Sequence, residues 1–321
     1  MTMLVTGGAG FIGSNFIRHM LTEHPDTPIV NLDALTYAGN PESLRDVADN
    51  PNYTFVKGDI CDPAAVAAVF RNRLIETVVH FAAESHVDRS IADGSAFVRT
   101  NVLGTFTLLD HAHKHGVKRF IHVSTDEVYG STREGSFVET DNLNPSSPYS
   151  SSKAGSDLLA RSFFITHNLP VIVTRCTNNY GPYQFPEKLI PLFATNLLEG
   201  KKVPVYGTGK NIRDWLYVLD HCRAIDFVLQ NGEPGEVYNI GGGAEKTNLD
   251  ITAKILKLLG NDESMIEYVP DRKGHDFRYS LDFRKLRALG WEPAYTFDDA
   301  LAATVRWYAE NEWWWRPLKT G

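Results

Sequence analysis

Tyr149 and Lys153 stand four residues apart at the start of a helix-forming stretch, with Pro148 at its first turn. Residues i and i+4 share one helix face, so the phenol and the ammonium point the same way. A phenol ordinarily titrates at about 10 and is a poor base at neutral pH. A nearby ammonium, helped by a positive nicotinamide ring, favours phenolate, so the Tyr149 pKa is expected to be lowered. Tyr149 then takes a proton from an alcohol while a hydride leaves the same carbon. Ser124-Thr125, at the end of an apolar strand-like run, lies between this pair and the glycine-rich N-terminus.

A leaving hydride needs an acceptor, and the N-terminus suits one. Thr6-Gly7-Gly8-Ala9-Gly10-Phe11-Ile12-Gly13 follows an apolar run and opens a helix pattern. Glycines at 7, 10 and 13 allow a tight turn, close approach to a pyrophosphate and close helix–strand packing. The helix N-terminus offers N–H donors and positive dipole to phosphates. Asp33 ends the second strand, twenty residues beyond Gly13. A carboxylate there accepts hydrogen bonds from ribose hydroxyls and repels a 2′-phosphate, which favours NAD over NADP. Asp59-Ile60, after the third strand, is placed to meet the adenine edge.

The elements that must hold these groups follow from periodicity. Residues 3–5, 28–32, 54–57, 77–81, 120–123 and 171–174 are short, β-branched apolar runs, as expected of strands buried on both faces. Helix patterns fill 13–23, 63–73, 97–115 and 149–167 between them. The alternation predicts an α/β fold, a Rossmann-type doubly wound parallel sheet spanning 1–177. Beyond it, 178–321 reads as a smaller substrate-binding lobe over the sheet's carboxyl edge, with possible crossings between lobes. Its helix candidates are 249–259 after an Asn248 N-cap, 283–289 stopped by Gly290, and 297–311 after Thr296. Trp313-Trp314-Trp315 is expected to pack the last helix onto this lobe or to make a subunit contact.

The chain has 321 residues, 32 Lys+Arg against 39 Asp+Glu and a net charge of −7. That balance argues against a nucleic-acid or anionic-membrane binder. Cys61, Cys176 and Cys222 are far apart and form no CxxC pair, so neither a disulfide framework nor a thiolate metal site is expected. His80, His86, His122 and His275 lack metal-ligand spacing, and no metal is expected. No secretory leader opens the sequence and no apolar run reaches membrane length, so a cytoplasmic location is expected.

Taken together, Thr6–Gly13, Ser124-Thr125 and Tyr149-Ser-Ser-Ser-Lys153 resemble the extended short-chain dehydrogenase/reductase group that acts on nucleotide sugars. Five further stretches are similar to the dTDP-glucose 4,6-dehydratase family: 81–88, 124–130, 178–182, 213–215 and 271–276. The resemblance implies a deoxysugar-forming lyase with dTDP-glucose as substrate and NAD regenerated in each turnover. Tyr149 would deprotonate the sugar 4-hydroxyl while hydride passes from C4 to NAD. Glu127 would then take the C5 proton, Asp126 would protonate the leaving C6 oxygen, and the hydride would return to C6. Thr125 would hydrogen-bond the C4 oxygen and Lys153 would support Tyr149. Two adjacent carboxyls tend to split their pKa values, which suits one acid and one base.

The resemblance also implies further contacts. For NAD these are Gly7, Gly10, Phe11, Ile12, Gly13, Asp33, Leu35, Thr36, Asp59, Ile60, Phe81, Ala82, Ala83, Ser85, Thr100 and Asn179. For the substrate they are Glu84, Ser85, Asn178, Lys188, Leu189, Asn248, Asp271 and His275, with Pro204 and Tyr206 against the base and Arg213 and Arg272 on the pyrophosphate. Relatives pair through helices corresponding to 97–115 and 149–167, which implies a homodimer. A UDP-sugar dehydratase, a UDP-glucose 4-epimerase and a non-catalytic NAD-binding scaffold stay open as rivals.

Overall fold

The structure, a computed structural model, describes residues 2–271 and 276–319. Twelve strands run along it: β1 (Thr2–Thr6), β2 (Ile29–Asp33), β3 (Tyr53–Lys57), β4 (Ile75–His80), β5 (Arg119–Thr125), β6 (Val171–Cys176), β7 (Asn178–Tyr180), β8 (Val203–Tyr206), β9 (Ile212–Tyr217), β10 (Val237–Ile240), β11 (Glu245–Thr247) and β12 (Ile266–Val269). Seven of them form one parallel sheet in the order β10-β6-β5-β4-β1-β2-β3. The chain reverses its direction of travel across the sheet between β1 and β4, which leaves a crevice at their carboxyl ends. β10 comes from beyond residue 177, so the chain returns to the main sheet after leaving it. β11-β9-β7 and β12-β8 make two small sheets beside that edge.

The strand sequences explain the double cover. Val5, Val79, Ile121 and Ile172 face one apolar cluster, and their neighbours Leu4, Val78, Phe120 and Val171 face the other. Each buried aliphatic side chain contributes about 1.5–3 kcal/mol, so neither face tolerates a polar residue without a partner.

Most element boundaries match the periodicity, and three differ for local reasons. The expected helix over 97–115 is a short turn Ser95–Phe97, a wide π turn Val98–Gly104 and a regular helix Thr105–Lys114. The wide turn carries Asn101, whose side chain bonds both backbone groups of Glu84 and the Ser152 hydroxyl. The helix at Asn248–Leu258 is capped by Thr247, not Asn248, in a reciprocal pair with Asp250. A β-branched hydroxyl with a carboxylate three residues on satisfies two backbone donors at once. The 283–289 helix shrinks to Arg284–Ala288. Thr296 does cap Phe297–Glu310.

Candidate active site

The crevice between β1 and β4 opens into a cleft of about 340 Å³. Its floor is glycine because nothing else fits. Gly7 has φ +71°, and a Cβ there would lie 2.6 Å from the Ala82 nitrogen. A Cβ on Gly13 would lie 2.4 Å from the Gly7 carbonyl oxygen. Gly10 caps the helix Phe11–Glu23 with no side-chain bond, which leaves first-turn N–H groups for a ligand. Asp33 is buried at the end of β2 and accepts from the Ala9 and Leu35 amides at 2.8 Å each. Burial raises its pKa and those two bonds lower it, with burial ahead. Each carboxylate oxygen keeps a lone pair for a hydroxyl donor. Asp59 bonds the Cys61 amide at 2.8 Å in a local turn; the next helix, Pro63–Asn72, takes its cap from Asp62. A glycine cradle, unpaired helix donors and a fixed carboxylate fit a dinucleotide.

β5 ends at Thr125 and turns tightly through Asp126–Tyr129, with the Thr125 hydroxyl accepting from the Glu127 amide. Thr125 also donates to Asp126 Oδ1 at 3.1 Å, while Asp126 Oδ2 is buried without a partner. Burial, then the Glu127 charge, push the Asp126 pKa well above the carboxylate range. A carboxyl shifted in that direction holds its proton more tightly than an exposed one, which suits a general acid.

The helix Pro148–His167 delivers Tyr149 and Lys153 to the same cleft. Ser147 and Ser150 cap it reciprocally, and Pro148 takes the first-turn position that needs no N–H. Lys153 Nζ is buried and donates to the Val123 carbonyl at 2.8 Å, and burial lowers its pKa. The expected lowering at Tyr149 is not what the chain alone produces. Burial, with Glu127 next in weight, pushes the phenol well above 10, and the Thr125 hydrogen bond offsets only part of this. An ammonium pinned to a backbone carbonyl does not outweigh dry surroundings and a facing carboxylate.

The structure gathers most expected site residues here. Gly7, Gly10, Phe11, Ile12, Gly13, Asp33, Thr36, Asp59, Ile60, Phe81, Ala82, Ala83, Glu84, Ser85, Thr100, Asn178, Asn179 and Lys188 line the cleft with Thr125, Asp126, Glu127, Tyr149 and Lys153. Leu35 turns away, giving its amide to Asp33. Leu189, Pro204, Tyr206, Arg213, Asn248 and Asp271 do not line this cleft; Arg272 and His275 lie outside the described residues. Arg213 donates to the carbonyls of Ile212, Asp276 and Phe277 and stacks on Tyr279 at 4.3 Å, yet its charge reaches Asp126. Sequence reading missed Tyr37, Phe185 and Glu187 in the lining. Tyr37 directly follows Thr36 and Glu187 precedes Lys188, so adjacency was the available signal. Among the described residues, no group of three or more His, Cys, Asp or Glu is placed to hold a metal ion, and no helix is long and apolar enough to cross a membrane.

Known proteins share this arrangement. A family model described as GDP-mannose 4,6 dehydratase matches residues 4–304. A dTDP-glucose 4,6-dehydratase of Streptomyces niveus is 55% identical over 325 aligned residues, covering 100% of this chain and 96% of its own. The crystal structure of DesIV, a dTDP-glucose 4,6-dehydratase from Streptomyces venezuelae with NAD bound, superposes with a TM-score of 0.96 at 56% identity, covering 99% of this chain and 100% of that one. A UDP-glucose 4-epimerase of Thermus thermophilus in complex with NAD is further off, with a TM-score of 0.90 at 30% identity over 97% of this chain and 100% of that one. The doubly wound sheet, the glycine cradle and the Tyr149–Lys153 pair define an NAD-dependent enzyme of the extended short-chain dehydrogenase/reductase group. Within that group the chain belongs to the dTDP-glucose 4,6-dehydratase family, whose members are hydro-lyases.

Proposed function

We propose that this chain removes water from dTDP-glucose to give dTDP-4-keto-6-deoxyglucose. The observation that carries the reading is Asp126, a buried carboxyl with one unpartnered oxygen, beside the carboxylate of Glu127 in the same cleft as Tyr149. Oxidation at C4 alone would need only Tyr149 and Thr125. Elimination across C5–C6 also needs an acid and a base, and two adjacent carboxyls, with the Asp126 pKa raised by burial and by Glu127, can supply them.

NAD, when bound, supplies a reversible hydride acceptor for C4 and donor for C6. Tyr149, raised by burial in the chain alone, would take the proton of the 4-hydroxyl once the positive nicotinamide ring of bound NAD joins Lys153 in favouring phenolate, and Thr125, in the same cleft, would orient the C4 oxygen. Lys153, anchored on the Val123 carbonyl in the same cleft, supports Tyr149 with its charge. Once C4 is a ketone, the C5 hydrogen is acidic; Glu127 removes it and Asp126 delivers its proton to the C6 oxygen, so water leaves, and when hydride is returned to C6 the proton held by Glu127 goes back to C5. The segment 178–321 holds the nucleotide end, through Asn178, Lys188 and Arg213 with Arg272 and His275 from the 271–276 motif.

A homodimer is part of the proposal. Val98, Leu103 and Phe106 from the 95–114 region, with Leu158 and Ile165 from the neighbouring 148–167 helix, are 44–66% exposed. An apolar patch of this kind on two packed helices suits a second copy of the same pair. The cell location follows as cytoplasmic.

The deciding experiment incubates purified protein and NAD with dTDP-glucose and reads the loss of one water by mass. The expected product is the 4-keto-6-deoxy sugar. Product from UDP-glucose but none from dTDP-glucose moves the substrate; an epimerised hexose without mass loss overturns the dehydratase reading.

A further inference from the structure

We infer that Tyr37 closes a strap across the cleft that retains NAD between turnovers. Tyr37 lies on the loop just after Asp33, and faces Phe185 and Glu187 from the segment that follows β7. Its ring meets Phe185 edge-on, with centroids 5.7 Å apart and planes at 77°. The Arg89 guanidinium sits over the same ring, 3.8 Å from its centroid. Arg89 is in turn 3.5 Å from Glu187 Oε2, and His86 Nε2 reaches that oxygen at 3.4 Å. Three segments distant in sequence therefore meet at one tyrosine ring. The Tyr37 hydroxyl lies beside Ser85 and Glu187 without closing a hydrogen bond of ordinary geometry, so the ring carries the closure.

Both sides of the strap are held in shape. Leu35 and Tyr183 are non-glycine residues with left-handed backbones, φ 53° and 66°. Such residues keep that conformation only where their surroundings impose it. The surroundings here include the C-terminal helix Glu312–Lys319. Trp314 donates to the Ser43 hydroxyl at 3.1 Å, just past the loop that carries Tyr37, and meets Tyr183 edge-on at 5.5 Å. Tyr308 donates to the Gln184 carbonyl at 2.6 Å. Trp314 thus ties the Ser43 turn beyond Tyr37 and Tyr183 beside Phe185 to the last helix, and Tyr308 holds Gln184 from the helix before it.

The chemistry gives the strap a use. The inference rests on the proposed hydride return: a cofactor that ends each cycle as it began has no need to leave. The same strap would throttle an enzyme that exchanges NAD every turnover. Tyr37 and Arg89 are positioning residues, which act on how long the cofactor stays and not on the reacting atoms.

The test measures NAD retained through purification and its release rate into a large dilution, with thermal melting to certify folding. Losing one cation–π and one edge-on aromatic contact is expected to speed release from Tyr37→Ala about tenfold or more. Tyr37→Phe keeps the ring and is expected to release at the wild-type rate. Arg89→Met, at an exposed residue, is expected to shift release in the same direction as Tyr37→Ala. Wild-type retention by a folded Tyr37→Ala overturns the inference, as does release from Tyr37→Phe as fast as from Tyr37→Ala. If Tyr37→Ala does not fold, Arg89→Met decides, and wild-type release from it overturns the strap. Wild-type protein unable to bind NAD at all would instead overturn the cofactor reading beneath it.

Discussion

Replacing Asp126 with asparagine isolates one proton. The amide keeps the volume of the carboxyl, and its oxygen can still accept from the Thr125 hydroxyl, which lies 3.1 Å from Oδ1. What it removes is the transferable proton that burial and Glu127 hold on the wild-type group. A positioned general acid contributes about 10²–10⁴ in rate, or roughly 3–5 kcal/mol of barrier. Loss of water at C6 should therefore slow by that factor. Oxidation at C4, which uses Tyr149 and Thr125, should proceed, and so should exchange of the C5 hydrogen with deuterated water through Glu127. A substrate analogue with fluoride at C6 needs no acid to expel its leaving group, so Asp126→Asn should process it far better than the natural sugar. Equal impairment on both substrates, or no impairment on dTDP-glucose, would refute the role of Asp126. The same shift has a sign for stability. A carboxyl whose folded pKa is raised favours folding below its unfolded pKa and loses that favour as pH climbs through the folded one. The melting temperature of wild type should thus fall behind that of Asp126→Asn as pH rises; a constant gap would show an ordinary, exposed acid.

Four further outcomes are expected. Glu127→Gln should oxidise C4 and stall, with reduced-nicotinamide absorbance accumulating in a single-turnover mix, whereas Tyr149→Phe should show none; identical traces would break the division of labour. Gly13→Ala places a methyl 2.4 Å from the Gly7 carbonyl and should cost at least about 2 kcal/mol together with NAD binding, read by denaturant melts and titration. Asp226, where burial opposes ionisation but hydrogen bonds from His19, His24 and Gln230 win, is held down at about 2. Its stabilisation is present above the usual carboxylate pKa and lost as pH falls towards 2, so Asp226→Asn should cost about 1–2 kcal/mol at neutral pH, allowing for partial solvation, and almost nothing in strong acid. Leu158→Glu, in the exposed apolar patch, should give a monomer by light scattering; a wild-type monomer would remove the dimer.

What the sequence made legible follows the range of each signal. Leu4, Val5, Val78 and Val79 are fully buried, and their β-branched runs announce strands covered on both faces without outside information. Gly13 is legible because the clash it avoids is with Gly7, six residues away, and Gly7 because the positive φ of its tight turn is itself a local demand. The wide turn Val98–Gly104 is not, because its cause is Asn101 reaching Glu84 and Ser152 across the fold. The upward shift of Tyr149 in the chain alone is not legible for a similar reason. Lys153 is four residues away in the sequence, whereas Glu127 and the loss of water come from tertiary packing.

One feature of the cleft links its cofactor end to its catalytic end. The lining carries Asp33, Asp59, Glu84, Asp126, Glu127 and Glu187 against Lys153 and Lys188. Such a surface is a poor host for the two diphosphates of NAD and the nucleotide sugar if charge pairing is the only attraction. The NAD diphosphate can instead be met by N–H groups at the Gly10 cap and by the helix dipole, which add positive potential without adding a cation, while that of the nucleotide sugar falls to the proposed Lys188 and Arg213. One of those acids, Glu127, also adds to the rise that burial gives the Asp126 pKa. Beside Glu127 and out of water, a second negative charge is the more costly state, and the group keeps the proton that elimination requires. The net charge of −7 is therefore compatible with an anionic ligand, and in the cleft the local surplus of carboxyls helps to make the acid.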